Sequence, residues 1–298
     1  MNNNYQQSQA KKFFDKFADN WHARANYDST YSVNVIKQRN QFVENISSKF
    51  LKSGMKTLDV GCGTGELVFS LLREGFDAYG LDFAPSMIEK AKSEASKLGL
   101  PPDRFLLTSF FDFIPQNKFE LISANGFIEY VSEDEFEKFI NNSNKFLAQN
   151  GIIVMGSRNR LFNIFSFNNY TKAEIETRTM NHLIEECIIF NNSNSLEEVL
   201  GQNFTSGISK NLQKHEHTGI GVDTRYQYTP FQIIKRLKDH GFEIIGLEPI
   251  HIHILTTGAK NKETEIHDFI SNQIQDCKDI HLQTIPQSSS FMIAARKI

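Results

Sequence analysis

Asp59, Gly61, Gly63 and Gly65 follow one another in the pattern Asp-x-Gly-x-Gly-x-Gly, and a second acid, Asp82, comes about twenty residues later. Glycines at these positions let a backbone turn tightly and approach a ligand closely. A carboxylate at that distance can accept hydrogen bonds from a ribose diol, each worth roughly 1.5–3 kcal/mol because the acceptor is charged. The chemistry is that of nucleoside binding. The spacing also says which nucleosides are disfavoured. A dinucleotide fingerprint, G-x-G-x-x-G counted from Gly61, needs glycine where Glu66 stands, and a carboxylate at a helix N-terminus repels a pyrophosphate. A nicotinamide-dependent oxidoreductase is therefore the weaker reading.

A second group of chemical residues lies far down the chain. His251 and His253 alternate on a β-prone run, which puts both on one face with Ile250, Ile252 and Ile254 on the other. Imidazole suits proton transfer from an alcohol near neutral pH, so these two are the candidate catalytic residues, as base or as orienting group. His215 and His217 form another His-x-His pair around Glu216. Two such pairs could gather an imidazole-rich metal site, but no Cys or Asp ligand set accompanies them, and no metal is expected.

These residues need elements to position them. The glycine turn joins a β-prone run at 57–60 to an apolar helical stretch at 66–73, and Asp82 ends the next strand, 78–83. Five further strands are expected at 105–108, 121–125, 152–157, 242–255 and 291–295. Capping boxes at Ser86-x-x-Glu89, Ser132-x-x-Glu135 and Thr229-Pro230-Phe231-Gln232 predict helix starts. The second helix carries a stripe of Phe136, Phe139, Ile140 and Leu147 and stops at Asn150-Gly151, and the third ends at Gly241. Such alternation predicts a doubly wound, mostly parallel α/β sheet of seven strands, covered on both faces.

Two segments fall outside the alternation. Residues 1–52 read as a helical N-terminal cap rich in aromatics, with Phe13, Phe14, Phe17, Trp21, Tyr27 and Tyr31. Residues 160–228 form an insertion after the fifth strand, far beyond the usual 2–6 residue αβ loop. The organisation is then cap 1–52, cofactor-binding half 53–159, substrate-facing insertion 160–228 and C-terminal part of the sheet 229–298.

Composition narrows the class. A chain of 298 residues with 40% hydrophobic content can bury a sizeable core. Net charge −3 gives no basic field for a phosphate backbone, so no nucleic-acid partner is expected. The polar, Asn/Gln-rich start has no leader pattern, and no apolar run is long enough to span a bilayer, which predicts a cytoplasmic protein without a membrane partner. Three scattered cysteines, Cys62, Cys187 and Cys277, argue against a disulfide framework. Oligomeric state is not legible.

The glycine motif with its leading Asp59, the acid at Asp82, the following run 83–88 and the strand-loop segment 119–125 together resemble the class I S-adenosylmethionine-dependent methyltransferases. The resemblance spans residues 57–159. It implies a Rossmann-like methyltransferase fold with an antiparallel last strand, and S-adenosylmethionine as cofactor. Under it, Gly61, Gly63 and Gly65 hold the methionine end, Asp82 the ribose, and Phe83 and Met87 flank the adenine. Ser109 and Phe110 stand where many relatives carry an Asp that reads the adenine amine, with Asp112 as runner-up. Asn125 and Gly126 pass near the sulfonium, and Arg39, or Arg24 beside Trp21, meets the cofactor carboxylate. Arg158, Arg160, Arg225 and Tyr226 suit an anionic or hydroxyl-rich acceptor. The expected activity is methyl transfer to a small molecule, with oxygen favoured. The Asn-Pro-Pro-Phe/Tyr type signature of amino-group methylation is absent, since Asn125-Gly126-Phe127-Ile128 stands in its place. Nitrogen, carbon or macromolecular acceptors are the alternatives, as is a non-catalytic cofactor-binding subunit.

Overall fold

The computed structural model describes residues 3–27, 32–202 and 225–298, with side chains from residue 9 onward. Tyr31, Thr224, His215 and His217 lie outside the described residues. Strands β1 (Lys56–Val60), β2 (Asp77–Asp82), β3 (Phe105–Leu107), β4 (Phe119–Ala124), β5 (Leu147–Arg158), β6 (Phe242–Ile252) and β7 (Ser288–Lys297) form one sheet in the order β3-β2-β1-β4-β5-β7-β6. The first five strands pair in parallel, and β7 runs antiparallel to both β5 and β6. The expected seven-stranded, doubly wound sheet with an antiparallel last strand is what the chain forms.

Helices cover both faces. In chain order they are α1 (Asn3–Ala25), α2 (Val35–Phe50), α3 (Glu66–Arg73), α4 (Pro85–Lys97), α5 (Glu133–Phe146), α6 (Asn163–Ser166), α7 (Asn169–Glu176), α8 (Met180–Asn192), α9 (Leu196–Leu200), α10 (Pro230–Asp239), α11 (Thr257–Lys260), α12 (Thr264–Gln275) and α13 (His281–Thr284). Leu58, Ile122 and Ile153 meet Phe136, Phe139 and Ile140 of α5 on one face, while Leu121, Ile152 and Val154 meet Val43 and Ile46 of α2 on the other. The three apolar side chains of α5, at roughly 1.5–3 kcal/mol each, outweigh its cap at about 1 kcal/mol. The cap is nonetheless complete: Ser132 and Glu135 exchange side-chain and backbone hydrogen bonds, as Thr229 and Gln232 do at the start of α10.

Three local expectations are corrected. Helix α5 ends at Phe146, because Leu147 is buried and already paired with Phe119 of β4. Asn150, at φ 62°, and Gly151 therefore lie inside β5, where the register shifts, and do not stop the helix. Strand β6 ends at Ile252, short of 255, because His251 adopts φ 56° and the chain turns away. Ser86 is not an N-cap either. Helix α4 starts at Pro85, and it is Asp15 of α1 whose Oδ1 accepts from the Ser86 N–H (3.3 Å) and hydroxyl (3.1 Å). That contact, with the Lys90–Asp19 ion pair at 3.0 Å, seats α1 on α4.

Candidate active site

The carboxyl ends of β1, β2, β4 and β5 open into a cleft with two connected lobes. The smaller, of about 120 Å³, lies under α1 and is lined by Gly61, Gly63, Asp82, Phe83, Met87, Ser109 and Phe110. The larger, of about 810 Å³, extends toward β6 and the insertion. Trp21, Arg39, Gly61, Asn125 and Arg225 border both. Of the residues expected around the cofactor, only Gly65 lines neither lobe. Its Cα packs on Phe105 and Phe69, so that a methyl group there would sit 2.7 Å from the Phe105 ring, and its φ of 94° starts α3. Asp112 stays outside the cleft, leaving Ser109 at the position after β3.

The glycine-loop wall is acidic. Asp82 is buried; its Oδ1 accepts from the Ala84 N–H at 2.9 Å and its Oδ2 from the Gly63 N–H at 3.1 Å. Each oxygen retains a further lone pair for a ligand hydroxyl. Burial raises its pKa to about 6 despite those donors. Asp59 accepts from Ser123 Oγ at 2.8 Å, and burial, with Asp82 and Glu66 nearby, raises its pKa to about 7. Glu66 heads α3, where its carboxylate accepts from Thr64 Oγ1 at 2.6 and 2.8 Å and lies 2.9 Å from His22 Nδ1. A carboxylate thus fills the helix N-terminus that a pyrophosphate would use, which turns the sequence argument against a dinucleotide into a geometric one.

The opposite wall is cationic. Glu129, wholly buried, accepts from Arg39 Nη2 at 3.2 Å and from Arg225 Nε at 2.7 Å. Burial opposes its ionisation, yet Arg225, Arg39 and Arg158 hold its pKa below the ordinary range. Arg158, at the end of β5, is pushed down to about 9 by burial and by Arg225 and remains charged at neutral pH. Three guanidinium groups therefore face one carboxylate. Arg39 approaches so closely that a Cβ on Gly126 would lie 2.4 Å from its Nη1, and Gly126 takes φ 74°. Arg24 also lines the larger lobe. Arg160 is turned away in a buried fork with Glu174 (2.8 and 2.6 Å), and Tyr226 packs on Tyr228 outside both lobes.

At the far end of the larger lobe stand His251 and His253, their rings 4.1 Å apart and on one side of the strand end, as the alternation implies. Lys260 Nζ lies 2.8 Å from His251 Nε2, whereas neither ring nitrogen of His253 has a hydrogen-bond partner among the described residues. Burial keeps both rings neutral, with His253 down to about 2. Glu129 and Lys260 escaped the sequence reading: Glu129 is one acid in a loop, and Lys260 one lysine on a four-residue helix, and neither carries a motif.

The donor set fits S-adenosylmethionine. The smaller lobe lines up the buried carboxylate of Asp82 with apolar Phe83 and Met87, the acids Asp59 and Asp82 suit a ligand with positive charge, and the buried Asn125 Oδ1 lacks a partner among the described residues.

Residues 51–217, more than half of the chain, match a family of methyltransferase domains. A ubiquinone biosynthesis O-methyltransferase of Rhodopseudomonas palustris (strain HaA2) is 31% identical over 126 residues, which are 42% of this chain and 49% of that protein. One from Pelagibacter ubique (strain HTCC1062) is 31% identical over 163 residues, 52% of this chain and 66% of its own length. The chain thus spans about half to two thirds of the length of these curated relatives. Among solved structures, a magnesium protoporphyrin IX methyltransferase from Synechocystis PCC 6803 with bound SAH shares the fold at a TM-score of 0.56 and 13% identity, covering 98% of this chain and 100% of that one. No described helix is long and apolar enough to cross a membrane. The chain belongs to a family of methyltransferase domains and has the fold of the solved methyltransferase.

Proposed function

We propose that this enzyme methylates a hydroxyl oxygen of a small molecule that also carries an acidic group. The observation that carries the reading is the cationic wall: Arg39, Arg158 and Arg225 outnumber Glu129 around the 810 Å³ lobe. A guanidinium fork matches a carboxylate bidentately. The activity for which the relatives are named, O-methylation in ubiquinone biosynthesis, agrees in kind.

When bound, the sulfonium cofactor supplies an activated methyl group for in-line displacement. The chain's own residues position and exclude. Asp82 takes the ribose hydroxyls, Phe83, Met87 and Ser109 enclose the base, Gly61 and Gly63 admit the methionine end, and Arg39 or Arg24 meets its carboxylate. Helix α1, through Phe14 and Trp21, caps the small lobe and keeps water out, and Phe162, Asn163, Tyr170 and Gln227 face the acceptor. Arg158 anchors the acceptor's acid, and His251 and His253 orient its hydroxyl. Holding donor and acceptor in a near-attack geometry supplies on the order of 7–11 kcal/mol of the barrier.

The test is methyl transfer from S-adenosylmethionine to phenolic acids and to their neutral methyl esters. Acids are expected to be the better substrates, and Arg158→Met to raise KM for an acid about tenfold or more, equivalent to ~1.4 kcal/mol, while leaving the ester's KM in place. Equal use of acid and ester by the unaltered enzyme would sink the anionic-acceptor reading.

A further inference from the structure

The histidine pair has a third member that the sequence did not connect to it. His267, on α12, brings its ring to 5.0 Å from His253 and 5.8 Å from His251, centroid to centroid. One ring nitrogen from each of the three lies within 4.8 Å of the others. His267 is wholly buried, and among the described residues neither its Nε2 nor either nitrogen of His253 finds a hydrogen-bond partner. Leaving one such atom unsatisfied costs roughly 1–3 kcal/mol, and here the rings of His253 and His267 carry them side by side. They call for a shared partner.

The surroundings indicate what kind. His267 Nδ1 lies 2.9 Å from Asp268 Oδ1, and the other Asp268 oxygen accepts from the Val33 N–H at 3.1 Å. A carboxylate on one ring nitrogen sets the tautomer so that the lone pair of the other points into the cluster, as carboxylates do behind metal-bound imidazoles. His251 holds φ 56°, a conformation that costs a non-glycine residue about 1–3 kcal/mol, to place its ring against the other two. The cation already near the rings is the ammonium of Lys260, on the lone pair of His251 and 3.9 Å from Asp268.

We propose that His251, His253 and His267 form a three-histidine site for a divalent transition cation of the zinc class, with Lys260 the group the cation displaces. Zinc–nitrogen bonds of about 2.0–2.1 Å in a tetrahedron set nitrogens roughly 3.3 Å apart, so ring rotations must draw nitrogens that lie within 4.8 Å together by up to about 1.5 Å. Lys260 sits on a short helix at the cleft edge with a long side chain, and can swing clear. Three protein ligands leave a fourth position, and His251 and His253 face the larger lobe, so that position opens toward the acceptor. There the cation would take an acceptor hydroxyl oxygen and lower its pKa. That role rests on the reading of the acceptor given above; the site itself does not.

The experiment measures metal alone. The tag-free full chain, stripped with chelator, is titrated with Zn²⁺ by calorimetry and with Co²⁺ by visible absorption. One equivalent is expected, with tetrahedral Co²⁺ bands. His253→Gln and His267→Gln should each abolish it, Asp268→Asn should weaken it about 10–100-fold, and Lys260→Met should tighten it. The tightening is the decisive arm when it keeps one equivalent and tetrahedral Co²⁺ bands, which a misfolded chain with scattered histidines would not give; retained S-adenosylhomocysteine binding certifies all the variants as folded. No binding, binding that survives both histidine variants, or weaker binding in Lys260→Met would overturn the proposal.

Discussion

The two walls of the cleft bury charge in opposite ways. On the glycine-loop wall, Asp59 and Asp82 are surrounded by backbone donors and a serine with no cation on them, and burial lifts both pKa values, to about 7 and about 6. On the opposite wall, Glu129 is just as buried but gripped by Arg39 and Arg225, and its pKa is held down. The first wall is charged at a cost that only a ligand relieves. The second is satisfied within the protein and still carries net positive charge. On the function proposed above, one cleft would thus offer a cationic cofactor and an anionic acceptor complementary surfaces on its two walls.

The sharpest way to break this comparison is to remove a carboxylate from each wall. Glu129→Ala leaves Arg39, Arg158 and Arg225 buried without their partner, and a loss of roughly 3–5 kcal/mol of stability is expected in urea unfolding. A loss under about 1 kcal/mol would mean that the arginines are not held by Glu129. Asp82→Asn should behave otherwise. It removes a charge that burial disfavours but turns an amide NH2 toward one of the two backbone N–H groups, so the two effects oppose and the empty protein's stability should change far less than in Glu129→Ala, while S-adenosylhomocysteine affinity falls tenfold or more, about 1.4 kcal/mol or greater. Unchanged affinity in calorimetry would remove Asp82 from the ribose site.

The smallest effect is on pH. Because burial raises Asp82 from 3.8 to about 6, the folded carboxyl keeps a proton that the unfolded chain has already lost over that interval. The empty protein therefore loses stability as pH rises through that window, and the contribution is flat above it. Binding a ribose diol favours the ionised form. The gap in Tm between ligand-bound and empty protein should then widen as pH rises through about 6, and a gap that is constant or narrows would contradict the assignment.

The cofactor side was legible in the sequence because its chemistry is local: Asp59 to Gly65 is one loop, and Asp82 ends the next strand. The acceptor side was legible only in pieces. His251 and His253 declare themselves by alternation, but their third member follows fourteen residues later across a turn, a helix and part of another, and the expected second pair lies outside the described residues. Glu129 gathers Arg39 from α2 and Arg225 from the end of the insertion, contacts that depend on how the sheet is ordered and leave no periodic trace. Arg160 looked equivalent to Arg158, yet the two point apart because one ends β5 and the other begins the next turn, where Glu174 takes it up.

The strand order also governs when the cleft can be finished. Residues 288–297 are synthesised after β6, yet β7 lies between β5 and β6, and among the described strands β6 pairs with nothing else. While the ribosome is still adding those residues, the nucleoside half already has all its strands, but the strand that carries His251 has no neighbour to lie against.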